Sequence, residues 1–461
     1  MILLAISLLL YLLVVITLPI LFKTKLKTTE DFFLASRRLP TWLIYFSLTA
    51  SWIGATSTLV ATDEAYRQGL SSLWIMAFPT IITVVILAVF LTDRLRKLNF
   101  ISLPDLIEAR YGRLVRHLVS LLIIWYMVLL AASQMVAGGK FLSYILEVNY
   151  LTALVILTLA ILVYTTRGGL FSVALTDALQ LVLVFGGIIF LAFSLTGDSL
   201  LLSPGTPKVN LDLFFNFPRN ILICSSFVLA WTISPITWQR IQAAASTRAA
   251  RRALWLSVPT FAFFFGLIII IGLKLTALFT FPPGSGPILV QIIKSPLLPS
   301  LRLLLFIGLL AAIMSTLDTA INTGALSLTQ DVILQIASFS SKSVIIFSRG
   351  STIVIGLLAL AVATKLQTIL QALGLASEIM AEGLFLPGLA MLFLKKKYPR
   401  AGLLGLLLGG GFALVGFLAQ INIIPLKWLS WPLTLPIGLG LCFLGFATGM
   451  FLDTYFSSPK Q

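Results

Sequence analysis

The residues that could do chemistry lie inside long apolar runs. Leu48-Thr49-Ala50-Ser51-Trp52-Ile53-Gly54-Ala55-Thr56-Ser57-Thr58 crowds small and hydroxyl residues into the middle of one run. Such a stretch resists a regular helix and leaves carbonyl oxygens free, and interrupted helices in membranes coordinate alkali ions through oxygens of that kind. The alternative is close helix packing through small residues. A second run, Ala311-Ala312-Ile313-Met314-Ser315-Thr316-Leu317-Asp318-Thr319, places Ala312, Ser315, Thr316 and Thr319 on one helical face with Asp318 beside it. A hard cation such as sodium takes neutral and anionic oxygens of this sort. Hydroxyls bonded back to their own helix are the alternative.

Three further carboxyls stand at membrane depth. Asp177, in Thr176-Asp177-Ala178-Leu179-Gln180, would cost at least roughly 2.5–3.5 kcal/mol if left unpaired in lipid. It is expected to face a cation or a wet cavity, or to pair with Arg167. Glu378 and Glu382 share one face at i, i+4, and two carboxylates so close repel if both are ionised. Amine binding, proton exchange, cation binding or a helix-to-helix hydrogen bond are the roles open to them. His117 lies alone in a basic loop. Cys224 and Cys442 sit in apolar runs, so neither a disulfide framework nor transition-metal spacing is present.

These residues must be positioned by membrane helices. The 461 residues are 59% hydrophobic and 10% charged, with a mean hydropathy of +1.05. That leaves too little polar surface for a water-soluble globule. Thirteen apolar runs are expected to span as helices, at about 2–22, 40–62, 70–92, 115–146, 150–166, 171–196, 218–238, 252–280, 298–332, 343–364, 367–394, 400–420 and 432–455. The first has no basic region before it and no cleavage site after it, and reads as a retained helix. With the 23–39 loop inside, alternate loops hold 23 of the 32 basic residues, Arg116 and Arg240 among them, which puts the N-terminus outside and the C-terminus in the cytoplasm. The net charge of +16 therefore speaks for orientation and contact with membrane lipid, not for nucleic acid. The longest outside loop, about 197–217, contains Pro204, Gly205 and Pro207. No extramembrane stretch is long enough for a folded domain, and no nucleophile–base pair or metal motif suggests an enzyme. No obligate protein partner is evident.

Several motifs occur together in order. Asp31-Phe32-Phe33-Leu34-Ala35-Ser36-Arg37-Arg38-Leu39-Pro40, Ala50-Ser51-Trp52-Ile53-Gly54-Ala55-Thr56-Ser57 with Ala65-Tyr66-Arg67-Gln68-Gly69, Tyr164-Thr165-Thr166-Arg167-Gly168-Gly169, Trp238-Gln239-Arg240, and Met314-Ser315-Thr316-Leu317-Asp318-Thr319 resemble the signatures of the sodium:solute symporter family. The resemblance covers about residues 30–400. It implies an all-α polytopic protein with a leucine-transporter-type core of two five-helix inverted repeats. The implied divisions are residues 1–39 as an extra helix and loop, 40–196 and 197–394 as the repeats, and 395–461 as terminal helices, with the second and seventh spans broken.

By position, the resemblance assigns sodium to Ala50, Ile53, Ala312, Ser315 and Thr316. A second cation site, as some members have, would use Asp177, Ser315, Asp318 and Thr319. Solute contacts would come from Thr56, Ser57, Gln134, Ser225, Ser226, Trp231 and Glu378. The sugar-transporter pattern has Gln where Ser57 stands, which disfavours a sugar. The expected activity is sodium-coupled uptake of a small organic solute across the cell's inner membrane. The rivals are proton coupling through Glu378, Glu382, Asp177 or Asp318, and a transport-incompetent sensor or scaffold.

Overall fold

The computed structural model describes residues 2–21, 26–195, 209–280, 286–294, 299–337, 339–365, 369–420, 423–426, 429 and 431–456. Residues 197–208 of the long loop expected at 197–217 lie outside these. Twelve helices carry the argument: α1 (Ile2–Leu21), α2 (Thr41–Trp52), α3 (Ala61–Gln68), α4 (Arg113–Leu146), α5 (Tyr150–Ser194), α6 (Phe217–Thr232), α7 (Pro235–Ala243), α8 (Thr247–Leu278), α9 (Pro299–Leu326), α10 (Ser341–Ala363), α11 (Ile369–Ile379) and α12 (Leu435–Phe456). Shorter helices join them, and no strand longer than the isolated Leu39–Ala244 bridge occurs among the described residues.

Helix is found at each of the thirteen expected spans. Among the described residues, nine helical segments are long and apolar enough to cross a membrane, and Leu3–Leu18 is a shorter apolar helix. The expected spans 150–166 and 171–196 are two helices that meet at a kink inside α5, where Gly169 leaves helical geometry. Gly169 makes the bend with φ 57° and ψ −153°. A Cβ there would stand 2.1 Å from the Phe32 carbonyl oxygen, so glycine is required by both conformation and space.

Lipid, not water, is the solvent for the outer faces. On α1, Leu4, Leu8, Tyr11 and Val15 recur at helical spacing and are buried, while Leu9, Leu10 and Leu13 are exposed. The centre of the molecule is α9, which packs on α2, α4, α5 and α10. From Leu309 to Ala325 every α9 residue is buried, including Ser315, Thr316, Asp318, Thr319, Asn322 and Thr323. Polar groups so placed must find partners inside the protein, and most of the partners come from two interrupted helices.

Candidate functional site

The first interruption separates α2 from α3. Regular helix ends at Trp52, Ile53 takes φ −96° and ψ 73°, and wider turns over Thr56–Val60 lead into α3. Carbonyls released by the break are taken up by hydroxyls, the arrangement that lets a broken helix persist at membrane depth. Ser57 Oγ donates to the Trp52 carbonyl at 2.7 Å. Gln134 of α4 accepts the Ala55 N–H at 2.9 Å.

α9 supplies the remaining hydroxyls. Ser315 Oγ reaches the Ala50 carbonyl at 3.1 Å and the Ala312 carbonyl at 3.0 Å. Thr316 Oγ1 reaches the Ser51 carbonyl at 3.1 Å. The fold thus brings Ala50, Ala312, Ser315 and Thr316 together, all buried, with fully buried Ile53 inside the same break. Gly54 permits the approach, because a Cβ there would stand 2.4 Å from Thr316 Oγ1 and 2.8 Å from Gln134 Oε1.

Beside this cluster lies a cavity of ≈ 50 Å³ whose lining includes Trp52, Thr56, Tyr126, Trp231, Thr316 and Leu373. Trp52 and Trp231 meet edge to face at 5.4 Å, Phe227 stacks on Trp231 at 4.7 Å, and Trp52 Nε1 donates to Thr237 at 3.2 Å. The cavity is smaller than the roughly 150 Å³ apolar cavity that takes benzene. An organic solute enters only if the tryptophans move apart.

The other expected solute contacts are placed differently. Ser57 and Gln134 brace the break. Ser226 accepts from Trp431 Nε1 at 3.4 Å, and neither it nor half-buried Ser225 lines the cavity. Glu378 corrects the expectation most clearly. Leu373 of α11 takes the cavity face, and five residues on a helix rotate Glu378 by about 140° away from it. The Glu378 carboxyl turns to Glu382, which faces Thr434 and lies where a Cβ on Gly438 of α12 would be.

The second interruption, at Ile233–Ser234, separates α6 from α7. Pro235 opens α7 without needing an N–H partner, and Trp238 Nε1 donates to the freed Thr232 carbonyl at 2.9 Å. Because helix resumes as far as Ala243, Arg240 lies in the core and not in a basic loop as the sequence suggested; it is fully buried. Its guanidinium reaches Asp177 at 3.4 Å, Ser47 Oγ at 3.0 Å and Thr319 Oγ1 at 2.7 Å. Asp177 also accepts from Ser47 at 2.6 Å, and Asp318 accepts from Tyr164 at 2.6 Å.

The four residues expected to form a second cation site therefore have other partners. A tethered cation, Arg240, takes Asp177 and Thr319; Tyr164 takes Asp318; Ser315 belongs to the cluster at Ala50. Asp177 pairs with Arg240, not with Arg167. Arg116, also counted as a loop residue, is 5% exposed and pairs with Asp105, Glu108 and Asp331. Nothing in the residues around Arg240 sets it apart from a loop arginine.

α7 also ties the break to the helix preceding α2. Gln239 Nε2 donates to the Phe33 carbonyl at 2.7 Å and to Asn322 at 3.1 Å, and its Oε1 accepts from Thr323 at 2.7 Å. Phe33 is held by a capped turn in which Asp31 accepts the N–H groups of Lys27 and Thr28 and the Ser36 hydroxyl.

A model of the Sodium:solute symporter family matches residues 32–409. The chain is 26% identical over 443 residues to the sodium/glucose cotransporter of Vibrio parahaemolyticus, covering 84% of this chain and 79% of that protein. It is 26% identical over 329 residues to the sodium/proline symporter of Haemophilus influenzae, covering 66% of this chain and 65% of that protein. The solved structure of a sodium-coupled sialic acid symporter, substrate-bound and outward-open, superposes with a TM-score of 0.81 at 19% identity over 99% of this chain and 98% of that one. At that identity the likeness speaks for the fold.

Proposed function

The chain belongs to the sodium:solute symporter family and is a sodium-coupled transporter of a small organic solute, and from that premise we propose where the ion sits and how it drives the solute. Sodium is held by the carbonyls of Ala50, Ile53 and Ala312 and the hydroxyls of Ser315 and Thr316. The observation that carries this is the meeting of Ser315 with the Ala50 carbonyl and of Thr316 with the Ser51 carbonyl, both at 3.1 Å, at a helix break. The donor set fits a hard monovalent cation: it is all oxygen, neutral and buried.

The ion bridges α2 and α9, so it favours the conformation in which these helices stand together. Coupling is the difference in sodium affinity between the outward- and inward-facing states. Solute lodges between Trp52, Trp231 and Thr56 once the rings part. Residues 40–196 and 197–394 are the two repeats that rock against each other, with 1–39 and 395–461 as additions. The protein sits in the cell's inner membrane with its N-terminus outside and its C-terminus inside. Arg240 supplies the positive charge at the second candidate site, so one sodium accompanies each solute.

The test is uptake into proteoliposomes from a panel of labelled amino acids, carboxylates and sugars. At least one solute is expected to accumulate under an inward sodium gradient and not under a potassium gradient. Accumulation driven by a pH gradient and indifferent to sodium would overturn the proposal in favour of proton coupling.

A further inference from the structure

One face of α8 changes character along its length. Arg248, Arg252, Leu256, Phe263 and Ile270 follow one another at steps of four, four, seven and seven, which keeps them on one side of the helix, and all five are exposed. The apolar members face lipid, and the arginines stand where the apolar stripe ends. There a cleft of ≈ 650 Å³ opens, lined by Arg248, Arg251, Arg252, Trp255 and, from the start of α2, Thr41. The two walls are fastened together by Tyr45 to Thr260 at 2.9 Å and Thr49 to Ser257 at 3.0 Å. Trp255, which lines the cleft, and Trp42, next in sequence to Thr41, are both exposed, as amphipathic rings are at the level of lipid headgroups.

The three arginines are not equivalent. Arg251 is neutralised by Asp93. Arg248 and Arg252 form no ion pair among the described residues. Two uncompensated guanidinium groups one helical turn apart match the oxygens of a phosphodiester, which guanidinium binds through paired N–H donors. The first turn of α8, capped by Ser246, adds the positive end of a long helix.

We infer that this cleft is a binding site for an anionic glycerophospholipid. The phosphate is held by Arg248 and Arg252, and an acyl chain lies along Leu256, Phe263 and Ile270. Continuity between the arginines and the lipid-facing stripe favours a lipid over a free anion, because a soluble phosphate has no use for the apolar half. The inference is independent of which solute is carried and of where sodium binds.

Purified full-length protein in detergent would be titrated with phosphatidylglycerol, phosphatidylcholine or inorganic phosphate, and followed by native mass spectrometry and thermal melting. Phosphatidylglycerol is expected to remain bound and to raise Tm, and the other two are not. Arg248→Ala/Arg252→Ala should weaken phosphatidylglycerol retention about tenfold or more, the scale of two juxtamembrane charges. Lys395→Ala/Lys396→Ala/Lys397→Ala, which removes three exposed charges elsewhere, should leave it unchanged. If the double variant does not purify, Arg252→Gln alone should give an intermediate loss. Undiminished retention in whichever arginine variant is measured, an equal loss in the lysine variant, or an equal Tm rise with inorganic phosphate would each overturn the assignment.

Discussion

The hydroxyl of Ser315 lies 3.1 Å from the carbonyl oxygen of Ala50, across 265 residues of chain. That carbonyl accepts the Ile53 N–H at 3.1 Å where the chain leaves helical geometry, and its other lone pair meets the hydroxyl. The hydroxyl is available because α9 presents one polar face inside an otherwise apolar core.

Gly54 sets how closely the break approaches α9. A methyl group at 54 would stand 2.4 Å from Thr316 Oγ1, and overpacking of this kind typically costs about 1–3 kcal/mol. Gly54→Ala is expected to lower Tm modestly and to raise the sodium concentration needed for half-maximal uptake. Sodium titrations of wild type and variant check this.

Arg240 is the sole cation paired with Asp177 among the described residues. Removing one partner of a buried ion pair costs about 3–5 kcal/mol, because the other charge is left uncompensated. Arg240→Gln should therefore melt well below wild type, and Asp177→Asn added to it should recover part of the loss. A double-mutant cycle in Tm with no coupling would count against the pair.

With Arg240 as a built-in cation, sodium activation of uptake should follow a Hill coefficient near one. A coefficient approaching two would mean that a second ion displaces or joins the guanidinium.

Asp31 carries the pH prediction. Partial burial pushes its carboxyl up, but the Ser36 hydroxyl and the N–H groups of Lys27 and Thr28, with the Thr28 hydroxyl, outweigh burial and hold it below its ordinary 3.8. A lowered folded-state value means the stabilisation is complete above the unfolded value of about 3.9 and is lost as pH falls through the folded value. Acidifying from about pH 5 to about pH 3 should cost wild type more Tm than Asp31→Asn. Equal losses would show that Asp31 does not contribute.

Most of the architecture was legible in the sequence because apolar length is a one-dimensional property. The Ala50 and Ser315 stretches could be singled out because hydroxyls in an apolar run are costly unless used. What the sequence hid was direction. Glu378 and Leu373 belong to one helix, and only the packing of α11 decides which of them meets the cavity. Arg240 looked like a loop arginine because a break at Ile233–Ser234 makes the preceding span seem to end early. Helix then resumes for nine residues and carries the guanidinium inside. The partner of Asp177 was mistaken for the same reason, since Arg167 is nearer in sequence and Arg240 is nearer in space.

The most direct test is the sodium dependence of solute uptake in Ser315→Ala and Thr316→Ala, reconstituted at equal protein density. Each substitution deletes one oxygen ligand and leaves the helix intact. The account predicts that half-maximal activation moves to roughly tenfold or higher sodium, the scale of one lost charge-assisted contact at about 1.5–3 kcal/mol, while each variant still folds. An unaltered sodium titration in both variants would contradict it.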